Sequence, residues 1–94
     1  MIKTIAHKGL KAYWVKDDKS KLRPDMIPRI RFILDLINEI SFVPDDFAPF
    51  KNLRIHPLKG SLKDYWSLDV TGNYRIIFKF ENGNAYDLSL EDTH

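Results

Sequence analysis

The chain has 94 residues, 44% of them hydrophobic and 30% charged, with a formal net charge of +2. That length suits one domain with its own core, and the composition argues against disorder. The absence of cysteine excludes a disulfide framework, thiolate metal ligands and a cysteine nucleophile, and is compatible with a reducing, cytoplasmic setting; no apolar run approaches the roughly 20 residues that cross a bilayer.

Taken in chain order, Ile2 to Ala6 alternates loosely and reads as a short first strand. Leu10, Tyr13 and Trp14 fall at i, i+3 and i+4, which predicts a short amphipathic helix over His7 to Asp17, with His7 in its cap region. Met26, Ile30, Ile33, Ile37 and Ile40 then recur at helical spacing, with Ile27, Leu34 and Leu36 widening the stripe. The helix they predict starts between Pro24 and Ile27, because proline is tolerated only in a first turn. Phe42-Val43-Pro44 ends it, and an irregular loop follows to Pro49.

From Leu53 the pattern changes to strand. Leu53 to Leu58 reads as extended, with Pro57 favouring an edge or a strand end. Tyr65 to Thr71 is a strand with Trp66, Leu68 and Val70 on one face, and Thr71-Gly72-Asn73 is a hairpin signal. Tyr74 to Phe80 is a strand with Tyr74, Ile76, Phe78 and Phe80 on one face and Arg75, Ile77 and Lys79 on the other. After the turn at Asn82-Gly83-Asn84, the last strand runs from Ala85 to Leu90, with Tyr86, Leu88 and Leu90 facing one way. Two helices with apolar stripes need a sheet to cover, so an α+β layer fold ending in a three-stranded antiparallel meander is expected.

Charge is unevenly spread. Residues 1–31 carry nine Lys or Arg against three Asp, while the remainder is net acidic. A basic N-terminal third suits an anionic partner such as nucleic acid, and equally suits a solvated helix face. On the Arg75 face, Arg75 and Lys79 present cationic groups that fit a phosphodiester. The competing reading pairs Arg75 with Asp69 or Asp87 across the sheet. His56, held extended by Pro57, carries an imidazole suited to proton transfer near neutral pH. Lys59 adds positive charge nearby. His56, Asp92 and His94 lack the spacing of a metal site. No glycine-rich phosphate loop is present.

Several segments together resemble the HigB-type toxins of the RelE superfamily, also described as plasmid-maintenance killer proteins. They are His7-Lys8-Gly9-Leu10-Lys11, Leu53-Arg54-Ile55-His56-Pro57-Leu58-Lys59-Gly60, Tyr65-Trp66-Ser67, Gly72-Asn73-Tyr74-Arg75-Ile76-Ile77-Phe78, Asn82-Gly83-Asn84-Ala85-Tyr86-Asp87 and Glu91-Asp92-Thr93-His94. The ordered set spans nearly the whole chain. The resemblance implies a microbial-ribonuclease-like fold in a single domain of residues 1–94. It implies ribosome-dependent cleavage of mRNA without a metal or other cofactor: the ribose 2′-OH attacks the adjacent phosphate, leaving a 2′,3′-cyclic phosphate and a 5′-OH. It further implies a HigA-type helix-turn-helix antitoxin, with operator DNA reached only through that antitoxin, and no membrane partner.

Carried over by position, His56, Arg75, Asp92 and His94 match the catalytic positions, and Lys59, Thr93 and Lys79 are candidates for holding substrate. Thr93 departs from the family's terminal tyrosine, replacing a ring that could stack a base with a hydroxyl. Tyr65 and Tyr86 are the alternative sources of a ring, although alternation assigns Tyr86 to the core. Two other functions remain open: a non-enzymatic toxin acting on DNA gyrase like the ParE branch, and a weakened module that keeps only its antitoxin-docking surface.

Overall fold

The computed structural model describes residues 1–93; His94 lies outside them. Helix α1 spans Lys8–Lys16 and α2 spans Ile27–Glu39. Strands β1 (His56–Pro57), β2 (Trp66–Asp69), β3 (Tyr74–Glu81) and β4 (Asn84–Asp92) form one antiparallel sheet in the order β1-β2-β3-β4. The fold is therefore the expected α+β arrangement, with the meander extended by one short edge strand. No helix among the described residues is long and apolar enough to cross a membrane.

The core forms where the helical stripe meets the sheet. Met26, Ile30, Ile33, Leu34, Ile37 and Ile40 are buried against Leu68, Val70, Ile76, Phe78, Ala85 and Leu88 in one cluster. Pro24–Met26 is a 3-10 turn leading into α2, and Pro28 sits in the first helical turn, where its missing N–H costs nothing. Arg29, on the same helix, donates to the carbonyls of Asn52 (3.2 Å) and Asp69 (3.4 Å), tying α2 to β2 and to the turn before β1.

His7 caps α1: its Nδ1 accepts from the Leu10 N–H at 3.1 Å. Gly9 is buried beneath it, and a Cβ there would come within 3.0 Å of the imidazole. Burial holds the His7 pKa below its ordinary value, because the ring loses solvent in which to carry charge. The unfolded chain therefore takes up a proton as pH falls through about 6.5 while the folded chain resists it. This contribution to stability is complete above that pH and is lost as pH drops toward the folded value. His7→Asn keeps an acceptor at the cap and removes the titration. Its urea midpoint is expected to fall less than that of the wild type between pH 7.5 and 5; equal slopes would show that His7 does not titrate against folding.

Three strand assignments change. Ile2 to Ala6 does not form a continuous strand; it runs parallel to β4 through isolated bridges at Ile2–Ala85 and Ile5–Leu88. The interruption has a local cause. Asp87 adopts a left-handed backbone (φ 55°), bulging β4 and shifting its register against β3. The Thr4 hydroxyl fills the gap, accepting from the Asp87 N–H at 2.7 Å and donating to its carboxylate at 3.1 Å.

The second change is at Leu53 to Leu58. Lys51–Leu53 is a 3-10 turn that buries Leu53, and Arg54 is left-handed (φ 54°), so only His56 and Pro57 join the sheet. Third, β4 continues past Leu90 to Asp92, so the terminal acidic residues belong to the ladder rather than to a tail. The bulge also reverses the assignment of Tyr86. Lys79 lies opposite Tyr86 and Phe80 opposite Ala85. Ala85 and Leu88 enter the core, and Tyr86 moves to the Arg75 face.

Candidate active site on the face turned away from the helices

Directly opposed residues in adjacent antiparallel strands project to the same side. The register therefore lays out the far face as rows. One row runs His56–Ser67–Ile77–Ser89. The next runs Asp69–Arg75–Glu91, with Arg54 joining at its outer end through an ion pair to Asp69 (Nε to Oδ2, 3.7 Å). Lys79 lies in a third row opposite Tyr86. Its Nζ sits 5.1 Å from the centre of the Tyr65 ring and 3.7 Å from the Asp87 carboxylate. Ser67 and Ile77 are buried in the floor, and Ile77 stands outside the core cluster.

His56 is exposed at the edge, yet its ring is fixed. Nδ1 lies 2.8 Å from the Arg54 carbonyl oxygen. A carbonyl only accepts, so Nδ1 bears the proton and the neutral ring keeps its lone pair on Nε2. The left-handed backbone at Arg54 turns that carbonyl toward a side chain two residues on. Nε2 is thus the nitrogen that can take up and return a proton, as acid–base chemistry requires.

Arg75 lies two strands across from His56 and one row along, so their Cα atoms are about 12 Å apart at ordinary strand spacing. Its Nη2 donates to Glu91 Oε1 at 3.1 Å, while its Nε is buried without a partner. Of the two pairings that alternation offers, Asp69 lies opposite Arg75 but forms an ion pair with Arg54, and Asp87 pairs with Lys79. The carboxylate that holds Arg75 is Glu91.

The register separates the other candidates. Asp92 lies opposite Tyr74, out of phase with Arg75. Lys59 is exposed in the turn beyond the edge strand. The Thr93 hydroxyl donates to the Asn73 carbonyl at 3.0 Å, and its N–H meets the same oxygen at 2.7 Å, so Thr93 clips the end of β4 to the β2–β3 turn. His94 is outside the described residues. His56, Arg75 and Lys79 are thus brought to one face, and Lys59 and Asp92 are not placed in those rows. Among the described residues, no group of three His, Asp or Glu side chains is arranged to hold a metal ion.

A family model described as "RelE-like toxin of type II toxin-antitoxin system HigB" matches residues 3–94. The chain belongs to the HigB-like toxins. It is 38% identical over its full length to the full length of a Proteus vulgaris protein named Endoribonuclease HigB. Among solved structures, YafQ of E. coli aligns with a TM-score of 0.58 at 17% identity, covering 97% of this chain and 92% of that one. A YoeB/ParE toxin from Agrobacterium tumefaciens aligns at 0.53 and 15% identity, covering 96% of each. These two likenesses show a shared fold.

Glu91, Ser67 and Arg54 also shape the site of this HigB-like toxin, and no motif in the sequence singles them out. Glu91 was within reach: alternation carried one residue beyond Leu90 puts it on the Arg75 face. Ser67 carries a clear physical signal only in three dimensions. It is fully buried and its hydroxyl has no partner, a state that costs about 1–3 kcal/mol. Ser67→Ala removes that cost at nearly constant shape and is expected to leave the folded toxin as stable or about 1 kcal/mol more stable by urea unfolding. A loss beyond 1 kcal/mol would mean that the hydroxyl has a structural partner.

Proposed function

We propose that this HigB-like toxin is a ribosome-dependent mRNA endoribonuclease that works without a metal. The observation that carries the reading is the pairing, on one sheet face, of a histidine with a fixed tautomer and an arginine with an unused donor. The 38% identity over the full length of a protein named as an endoribonuclease supports it. In the reaction the 2′-oxygen forms a bond to phosphorus as the bond to the 5′-oxygen breaks. The 2′-OH proton leaves to a base, and the 5′-oxygen receives one from an acid. The products are a 2′,3′-cyclic phosphate and a 5′-OH.

In this reading His56 Nε2 handles one of those protons. Arg75 holds the phosphate and offsets the charge that builds on it in the crowded transition state. Lys79 adds positive charge along the RNA path. Asp92 and His94 belong to the reading through their match to the family's terminal positions, and Lys59 through its charge beside His56.

Membership of a type II toxin–antitoxin family gives the toxin an antitoxin partner. We take that partner to be a HigA-type helix-turn-helix protein, encoded beside it and responsible for any contact with operator DNA. The basic N-terminal third then meets ribosomal RNA, with affinity falling steeply as salt rises. In a translating extract, the toxin is expected to cut mRNA engaged by ribosomes and to leave naked mRNA intact. Intact mRNA alongside blocked DNA supercoiling would overturn this reading in favour of gyrase as the target.

A further inference from the structure

Arg75 uses only part of its guanidinium. Nε and Nη2 form one edge of the group, a fork that a planar or tetrahedral anion fills with two oxygens. Glu91 reaches that edge through a single oxygen, at Nη2, and Nε is left buried with no acceptor. Both side chains are largely shielded, Arg75 at 25% and Glu91 at 34% exposure. Asp69, opposite Arg75 on the other side, has its carboxylate 3.7 Å from Arg54. One row away and diagonal to Arg75, the Ser67 hydroxyl is also buried and unpartnered. Two polar atoms without partners on neighbouring rows of one face are uncommon in a settled interior, where buried polar groups are nearly all paired.

We infer that Glu91 is the resting counter-ion of Arg75, and that the scissile phosphodiester displaces it. The phosphate's two free oxygens span Nε and Nη2 together. Once the Arg75–Glu91 pair opens, the Ser67 hydroxyl donates to one of those same oxygens. A carboxylate anchored on the neighbouring strand engages one prong; an incoming phosphate satisfies both and leaves no donor stranded. Glu91 thereby keeps the cationic centre neutral in the free toxin and sets the affinity that a substrate phosphate must exceed. This inference rests on the proposed role of Arg75 as the phosphate-holding residue.

The test is a double-mutant cycle on the full chain, reading the dissociation constant for a short single-stranded oligodeoxynucleotide. That probe has phosphodiesters but no 2′-OH, so it cannot be cut. Glu91→Gln is expected to bind about three- to tenfold more tightly than the wild type at low salt. The gain is expected to vanish when Arg75→Gln is also present. Thermal unfolding of each variant checks that the sheet is intact, and Glu91→Asp, with a shorter reach to Nη2, is expected to fall between wild type and Glu91→Gln. Unchanged or weaker binding by Glu91→Gln overturns the exchange. So does an equal gain in the Arg75→Gln background, which would reflect only the loss of one negative charge. If Arg75→Gln alone leaves binding unchanged, the phosphate-holding role itself fails, and the exchange fails with it.

Discussion

Replacing His56 by glutamine is expected to lower the rate of mRNA cleavage on ribosomes by about 10²- to 10⁴-fold, the usual range for losing a positioned acid–base group. Folding should be almost untouched. His56 is exposed on a short edge strand, and its ring nitrogen Nδ1 bonds to the Arg54 carbonyl. A glutamine amide can donate to the same carbonyl, so the local geometry survives while proton transfer does not. Single-turnover cleavage with saturating toxin isolates the chemical step, and thermal unfolding checks the fold. The tautomer itself can be read by ¹⁵N NMR, where neutral His56 should show a protonated Nδ1 and an unprotonated Nε2. A protonated Nε2 in the neutral ring would remove the structural basis for His56 as the proton carrier.

Arg75→Lys is the second large effect, with an expected loss of about 10²- to 10³-fold, comparable to removing one donor that stabilises transition-state charge. Lysine keeps the positive charge but not the planar fork, so a mere need for net charge predicts little change. Lysine can still meet Glu91, which avoids the half-buried unpaired carboxylate that Arg75→Ala would leave. Lys79→Ala is the useful contrast. Its ammonium already sits between the Tyr65 ring and the Asp87 carboxylate, and its loss should weaken RNA binding while the single-turnover rate at saturation changes by less than about tenfold. Equal losses from both substitutions would mean that the face acts as a diffuse cationic surface.

Much of this arrangement is legible in the sequence wherever a long period repeats without interruption. The stripe from Met26 to Ile40 specifies α2 and its buried face, because eight apolar residues agree on one side of one helix. The meander is legible at Thr71-Gly72-Asn73 and Asn82-Gly83-Asn84, where turn chemistry separates alternating strands. Period two also separates Arg75 and Lys79 from Ile76 and Phe78. Single-residue backbone events are not legible in this way. The left-handed turn at Asp87 adds one residue to β4 and moves Tyr86 from the core to the site face. The left-handed Arg54 shortens the expected strand and aims a carbonyl at His56. Arginine gives no hint of that conformation, since it is held by the buried turn at Leu53 and the pairing of β1 with β2.

The terminal carboxylates show where motif matching and register differ. The family motif points to Asp92, whereas the ladder puts Glu91 opposite Arg75 and Asp92 opposite Tyr74. Thr93 changes meaning too. Its hydroxyl fastens the end of β4 to Asn73 in the β2–β3 turn, so the residue matched to the family's tyrosine makes a structural contact.

The chemistry of the cut ends tests the central claim most directly. Programmed ribosomes carrying a labelled mRNA are incubated with excess toxin in the Mg2+ that keeps the ribosome assembled, and the 3′ and 5′ ends of the fragments are identified. The account predicts fragments ending in a 2′,3′-cyclic phosphate and beginning with a 5′-OH, formed by the wild type and lost with His56→Gln and with Arg75→Lys. Fragments with 3′-OH and 5′-phosphate ends, or undiminished cleavage by both variants, would contradict it.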